Sequence, residues 1–163
     1  MWKKLILLFA YILANVSATQ VQKCSDDKPF PLAVRVLNCE IPPCDVIKGS
    51  VMIFEIDFYV MKYVTKLTTL VKATTLGITV PYELPDDVRD VCSNLMHEAY
   101  CPLYATEDVT YLFTFPIGNY PEISVKVEIY VVDQDQEVAT CFVCNIKVKK
   151  GSTRNSTIYE IDY

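Results

Sequence analysis

The chain has 163 residues, 52% hydrophobic and 21% charged, with a formal net charge of −5 and seven cysteines. So apolar a composition excludes a disordered chain, and the acidic balance argues against a nucleic-acid groove. A single histidine, His97, excludes a multi-histidine metal centre and leaves any histidine-dependent nucleophile resting on one imidazole, so a binding protein is expected rather than an enzyme.

Lys3 and Lys4 precede the apolar run Leu5 to Ala14, and Val16-Ser17-Ala18 follows with small or compact side chains. That pattern predicts a cleaved signal peptide over 1–18, because the run is much shorter than the roughly twenty residues that span a bilayer. The remainder is one domain, 19–148, followed by a polar, aperiodic tail over 149–163 that contains the glycosylation sequon Asn155-Ser156-Thr157. Every cysteine lies beyond the cut, which implies an oxidising compartment: a secreted protein, or one held in the lysosomal lumen.

Period-two alternation dominates the domain and places every second side chain on one face of a strand. Leu32, Val34 and Val36 predict a first strand. After Pro42-Pro43, the even positions Met52, Phe54, Ile56, Phe58 and Val60 predict a second, with Glu55 and Asp57 on its other face. Thr65 to Leu76 is β-prone, and Gly77 leads into Ile78, Val80, Tyr82 and Leu84 before Pro85-Asp86-Asp87 stops the run. The parity then becomes odd: Val109, Tyr111, Phe113, Phe115 and Ile117 predict one strand, and Ile123, Val125, Val127, Ile129 and Val131 another. Asp133-Gln134-Asp135-Gln136 is a turn into a last strand in which Val138, Thr140, Phe142, Cys144, Ile146 and Val148 share a face.

Six or seven strands with short turns and one apolar face each predict an all-β fold, an immunoglobulin-like sandwich of two antiparallel sheets. Trp2, the only tryptophan, leaves with the leader, so the buried tryptophan of antibody domains is missing. Cys39 and Cys44 enclose a short proline loop and Cys92 and Cys101 a second loop, and both can close locally. Cys24 is left with Cys141 or Cys144, which face opposite ways on one strand, so one of the two pairs and the other stays free.

The order of these features resembles the ML lipid-recognition domain family and, within it, the Niemann-Pick type C2 sterol carriers. The resemblance covers Cys24 to Val148. It rests on an early cysteine, on Cys39 and Cys44 followed by Lys48-Gly49 and an alternating strand, on the Gly77 to Pro85 segment and on the Cys92 to Cys101 loop. Pro116-Ile117 through Tyr120-Pro121 and Cys141 to Ile146 complete it. It implies the pairs Cys24–Cys141, Cys39–Cys44 and Cys92–Cys101, with Cys144 free where the family has an aliphatic residue. It also implies an apolar cavity between the sheets that holds lipid. Tyr82, Pro116, Ile117 and Tyr120 would stand at its mouth, and Met52, Phe54, Ile56, Val71, Val80, Phe113, Phe115, Val125, Val127, Ile129, Phe142, Cys144 and Ile146 would form its walls. Tyr82 stands where the family has phenylalanine, and Glu83 where it has proline. Without the resemblance, the same residues read only as a sandwich core.

The implied function is non-enzymatic and needs no cofactor or metal. A monomer takes up one sterol, fatty acid or similar small apolar ligand, and hands it to a membrane or receptor, with exposed Ile117 as a contact. Arthropod members of the family resemble carriers of semiochemicals and dietary sterols. The alternative is an innate-immune lipid-recognition module resembling the Toll-receptor lipid A co-receptor, which expects a basic rim, whereas Glu83, Asp86 and Asp87 crowd this mouth. Three other motifs have blander readings: His97 between Cys92 and Cys101 is a surface loop residue, Cys141-x-x-Cys144 lies on a strand rather than opening a redox helix, and Asp133-Gln134-Asp135 lacks the glycine and distal glutamate of a calcium loop.

Overall fold

The computed structural model describes residues 17–151. The leader up to residue 16, most of the expected tail and the sequon at Asn155 lie outside the described residues. In chain order the strands are β1 (Gln22–Lys23), β2 (Ala33–Val36), β3 (Cys44–Ile47), β4 (Val51–Tyr59), β5 (Leu67–Thr75), β6 (Ile78–Tyr82), β7 (Asp108–Pro116), β8 (Ser124–Asp133) and β9 (Val138–Lys149). A single helical turn, α1 (Asp86–Arg89), and a 3-10 turn at Cys92–Asn94 lie between β6 and β7.

The small sheet has the antiparallel order β2-β4-β7, and the large one the order β1-β9-β8-β5-β6, with β3 added beside β9. The alternation dictates how they face each other. Met52, Phe54, Ile56 and Phe58 of β4 lie opposite Phe115, Phe113, Tyr111 and Val109 of β7 and are buried with them. Across the core, Val127, Ile129 and Val131 of β8 pair with Cys144, Phe142 and Thr140 of β9 and point back at the small sheet. Two antiparallel sheets packed by their apolar faces make the β-sandwich that the periodicity predicts.

Several details differ from the sequence reading. Leu32 is 61% exposed and precedes β2, because its N–H bonds the Asp57 carbonyl from outside the strand. Val60 is buried but lies beyond the end of β4. Neither β1 nor β3 is visible in the pattern. Cys44–Ile47 is a four-residue strand, and it is held parallel to residues 146–149 of β9, an exception to the antiparallel rule. Lys149, assigned to the tail, is instead the last residue of β9, and it forms an ion pair with Asp45. The Lys150 N–H bonds Glu122, so the ordered chain runs slightly past 148.

Three disulfides close the fold: Cys24–Cys141, Cys39–Cys44 and Cys92–Cys101. The first joins residues 117 apart in sequence, and in the chain-entropy treatment constrains the unfolded chain by about 5 kcal/mol. Cys144 is free and buried.

Candidate functional site

The two sheets close at one end and part at the other. Near the start of β7 the buried Tyr111 hydroxyl lies 2.8 Å from Thr69 Oγ1 on β5 and donates to the Val88 carbonyl on α1 at 3.2 Å. Burial pushes this phenol well above its ordinary pKa, so it stays neutral and tethers one sheet to the other. Midway, the Phe54 ring meets Phe113 at 5.7 Å and, across the interface, Phe142 at 6.1 Å. This part of the sandwich is solid.

Beyond Phe115 the sheets diverge around a cavity of about 490 Å³. Its floor and walls come from β5, β8 and β9 on one side and from Phe115 and Ile117 on the other, with edge strand β6 and the 117–123 loop forming the rim. Tyr82 spans the opening. Its Oη donates to the Pro116 carbonyl at 2.8 Å, its ring meets Phe115 edge-on at 5.0 Å, and Tyr120 lies 6.3 Å away. Burial, together with the neighbouring Tyr120, raises the Tyr82 pKa against a smaller lowering by the Gly118 N–H, so this hydroxyl is neutral as well. The Tyr120 ring folds closely over Gly118: a Cβ there would come within 2.5 Å of the ring, so a larger residue would displace it.

Of the residues singled out in the sequence, Val80, Tyr82, Phe115, Ile117, Tyr120, Val125, Val127 and Ile146 line the cavity, and Pro116 supplies the carbonyl that holds Tyr82. Met52, Phe54, Ile56, Val71, Phe113, Ile129, Phe142 and Cys144 are buried but are not among the residues that line the cavity. Two positions are exchanged. Val80, expected in a wall, is 50% exposed, since β6 is an edge strand paired only with β5. Ile117, expected at an exposed mouth, is only 5% exposed, because its N–H bonds Ser50 and its carbonyl accepts from Gly49, which turns the side chain inward. Ala73, Thr75, Pro81, Glu83, Pro121, Ile123 and Val148 also line the cavity. The signal for Ala73 and Thr75 was available, since they continue the odd-numbered inward series Leu67, Thr69 and Val71.

A second depression, of about 590 Å³, is lined by Arg35, Asn38, Glu40 and Glu55 among others. Arg35 is engaged there, at 2.9 Å from Glu55 and in a two-pronged contact with Asp57 at 2.7 and 2.8 Å, and this guanidinium holds the Asp57 carboxyl below its ordinary range. A surface committed to ion pairs offers little to an apolar ligand.

The remaining motifs are placed as follows. His97 is exposed, and Cys92 and Cys101 are consumed by their disulfide. Cys141 is bonded to Cys24, while burial pushes the Cys144 thiol up to about 12. Asp133 accepts from the N–H groups of Asp135 and Glu137 and pairs with Lys62 at 2.8 Å, which makes this segment a pinned turn. Among the described residues, no helix is long and apolar enough to cross a membrane.

Comparison with known proteins agrees with this geometry. The family model described as ML domain matches residues 18–148. NPC intracellular cholesterol transporter 2 homolog a of Drosophila melanogaster is 26% identical over 147 residues, covering 88% of this chain and 97% of that protein. NPC intracellular cholesterol transporter 2 of Mus musculus is 27% identical over 143 residues, covering 84% and 93%. Among solved structures, a Niemann-Pick type C2 protein from the Japanese carpenter ant superposes with a TM-score of 0.66 at 19% identity, covering 79% of this chain and 98% of that one. Chicken MD-1 complexed with lipid IVa gives a TM-score of 0.51 at 15% identity, covering 77% and 87%. At these identities both structures speak for the fold alone.

Proposed function

The chain belongs to the ML-domain family, and on that premise we propose that it is a secreted or lysosomal, non-enzymatic lipid carrier. As a monomer, it binds one sterol, fatty acid or similar small apolar ligand in the cavity between its sheets and hands it to a membrane or receptor. The observation that carries this reading is the cavity itself: about 490 Å³, walled by aliphatic and aromatic side chains and opening beside Tyr82. Small-ligand sites measure about 300–1,000 Å³. Burying roughly 400 Å² of apolar ligand surface at about 25 cal/mol/Å² contributes on the order of 10 kcal/mol. Association costs of roughly 4 kcal/mol leave about 6 kcal/mol, a dissociation constant of roughly tens of micromolar.

Release requires the rim to open. The rim's link to the small sheet through Tyr82 is one hydrogen bond and one ring contact, which is weak enough to break transiently. A semiochemical or a dietary sterol would be a particular case of this ligand class. The alternative, an immune recognition module for phosphorylated lipid, calls for cationic groups at the rim, and among the described residues no lysine, arginine or histidine lines the cavity. The test is transfer of a fluorescent sterol between two vesicle populations: the carrier reading expects catalytic amounts of protein to accelerate it, and transfer no faster than the spontaneous rate would refute that role.

A further inference from the structure

The polar groups at the rim differ in what they can offer a ligand. Thr75 Oγ1 donates to the Ser124 carbonyl at 3.1 Å, and Tyr82 Oη donates to the Pro116 carbonyl at 2.8 Å, so both hydroxyl protons are committed to main-chain acceptors. Glu83 follows Tyr82 at the exposed end of β6, lines the cavity, and enters none of the ion pairs formed among the described residues. A carboxylate is acceptor-only, and among the described residues Glu83 is the sole charged side chain of the lining. The lysines beside lining residues on β5 and β8 lie on the outer face. Lys72 alternates with inward Val71 and Ala73, and its Nζ lies over the Tyr130 ring on the outer face at 5.1 Å. Lys126 alternates likewise with Val125 and Val127. Beyond Glu83 come the exposed Asp86 and Asp87, of which only Asp86 is paired, with Arg89.

An apolar cavity whose rim carries one carboxylate outside every ion pair, and no cation among the described lining residues, discriminates between ligands by their heads. We propose that the cavity selects apolar ligands with a hydrogen-bond-donating head, ranking an ammonium above a hydroxyl and excluding a carboxylate, and that Glu83 is the specificity-determining residue. A long-chain amine gains a charge-assisted contact with Glu83, an alcohol or sterol hydroxyl donates to the same carboxylate, and a fatty-acid anion meets a like charge, with the Tyr120 hydroxyl as the one uncommitted side-chain donor among the described lining residues. The inference rests on the carrier reading and narrows it, by removing free fatty acids from the ligand class.

The experiment is displacement of a fluorescent sterol from the full mature chain at pH 7, at low ionic strength and below micelle formation, by hexadecylamine, hexadecanol and hexadecanoate. The three share one tail and differ only in the head. The expected order is amine, alcohol, carboxylate, with amine and carboxylate separated by about tenfold or more. Glu83→Gln narrows that separation to within about threefold, and Glu83→Lys reverses it. Asp27→Asn, which removes an equal charge from a loop outside the cavity, leaves the ratio unchanged. Hexadecanoate binding as tightly as hexadecylamine to the unaltered protein overturns the proposal while leaving the carrier reading standing. So does an equal response of the ratio to Asp27→Asn and Glu83→Gln. Failure of the sterol probe and of all three competitors to bind overturns both.

Discussion

The Sγ of Cys144 lies 3.8 Å from the Sγ of Cys44, placing a buried free thiol against one sulfur of the Cys39–Cys44 disulfide. Exchange would form Cys44–Cys144 and release Cys39 as a thiol, but the attacking species is the thiolate, and desolvation pushes the Cys144 pKa up to about 12. The native fold therefore suppresses a reaction that its geometry brings within reach. Native protein at pH 8 should resist alkylation at Cys144. Protein unfolded in urea at the same pH should be alkylated within minutes or scramble its disulfides, as read by non-reducing peptide mapping. Cys144→Val, which is close in volume, should keep the fold at a cost of under about 1.5 kcal/mol and abolish the scrambling. Rapid labelling of the native thiol would contradict the account.

Tyr82 separates two contributions to the mouth. Tyr82→Phe keeps the ring against Phe115 but loses the bond to the Pro116 carbonyl, worth about 1 kcal/mol. Affinity for a bound lipid should stay within about threefold while stopped-flow release accelerates. Tyr82→Ala removes the ring as well, and affinity should fall about tenfold in a protein that remains folded by circular dichroism. Identical release and affinity in both variants would show that Tyr82 does not guard the opening.

Phe115→Asp and Ile117→Asp should both fail to fold, because each places an unpaired carboxylate at a position at most 5% exposed, at a cost of several kcal/mol. Ile117→Val, which removes one methyl, should express and melt within a few degrees of the parent. A cooperative thermal transition for Phe115→Asp near that of the parent would mean that its inward placement is wrong.

Acid should weaken the fold through particular carboxylates. Asp57 is held below its ordinary pKa chiefly by Arg35. For Asp133, burial alone would raise the value, and Lys62 with the N–H groups of Glu137 and Asp135 outweighs it. A carboxyl depressed in the folded state stabilises fully above its unfolded value of about 4, and that contribution disappears as pH falls through the folded value. The melting temperature should hold from pH 7 to about 5 and drop below pH 4. Asp133→Asn should lower it at pH 7 and flatten the acid limb. An unchanged acid limb in that variant would contradict the assignment.

Periodicity made the long strands legible. β4 and β7 bury every second residue as their alternation requires, and the cysteine spacing narrowed the pairing to two choices for Cys24, which the structure resolves to Cys141. What alternation leaves out is distance along a face. Phe113 and Phe115 share one face of β7, yet Phe113 fills the closed part of the sandwich and Phe115 lines the cavity, because the sheets diverge between them. Nor does it foresee pairing between remote segments. β3 is too short to show a period, and its strand state depends on residues 146–149, about a hundred positions away. Ile117 shows the reverse: the odd-numbered alternation already put it on the inward face, where hydrogen bonds with Gly49 and Ser50 hold it, and only the resemblance set it at an exposed mouth.

The most direct measurement is native mass spectrometry of the mature protein with a sterol, comparing the parent with Val127→Trp, which would fill the cavity from its wall. The account predicts a one-to-one adduct for the parent, with no second equivalent bound at comparable affinity, and loss of that adduct in a folded Val127→Trp protein. Equal sterol loading in the folded variant, or several equivalents bound without saturation, would contradict a single site between the sheets.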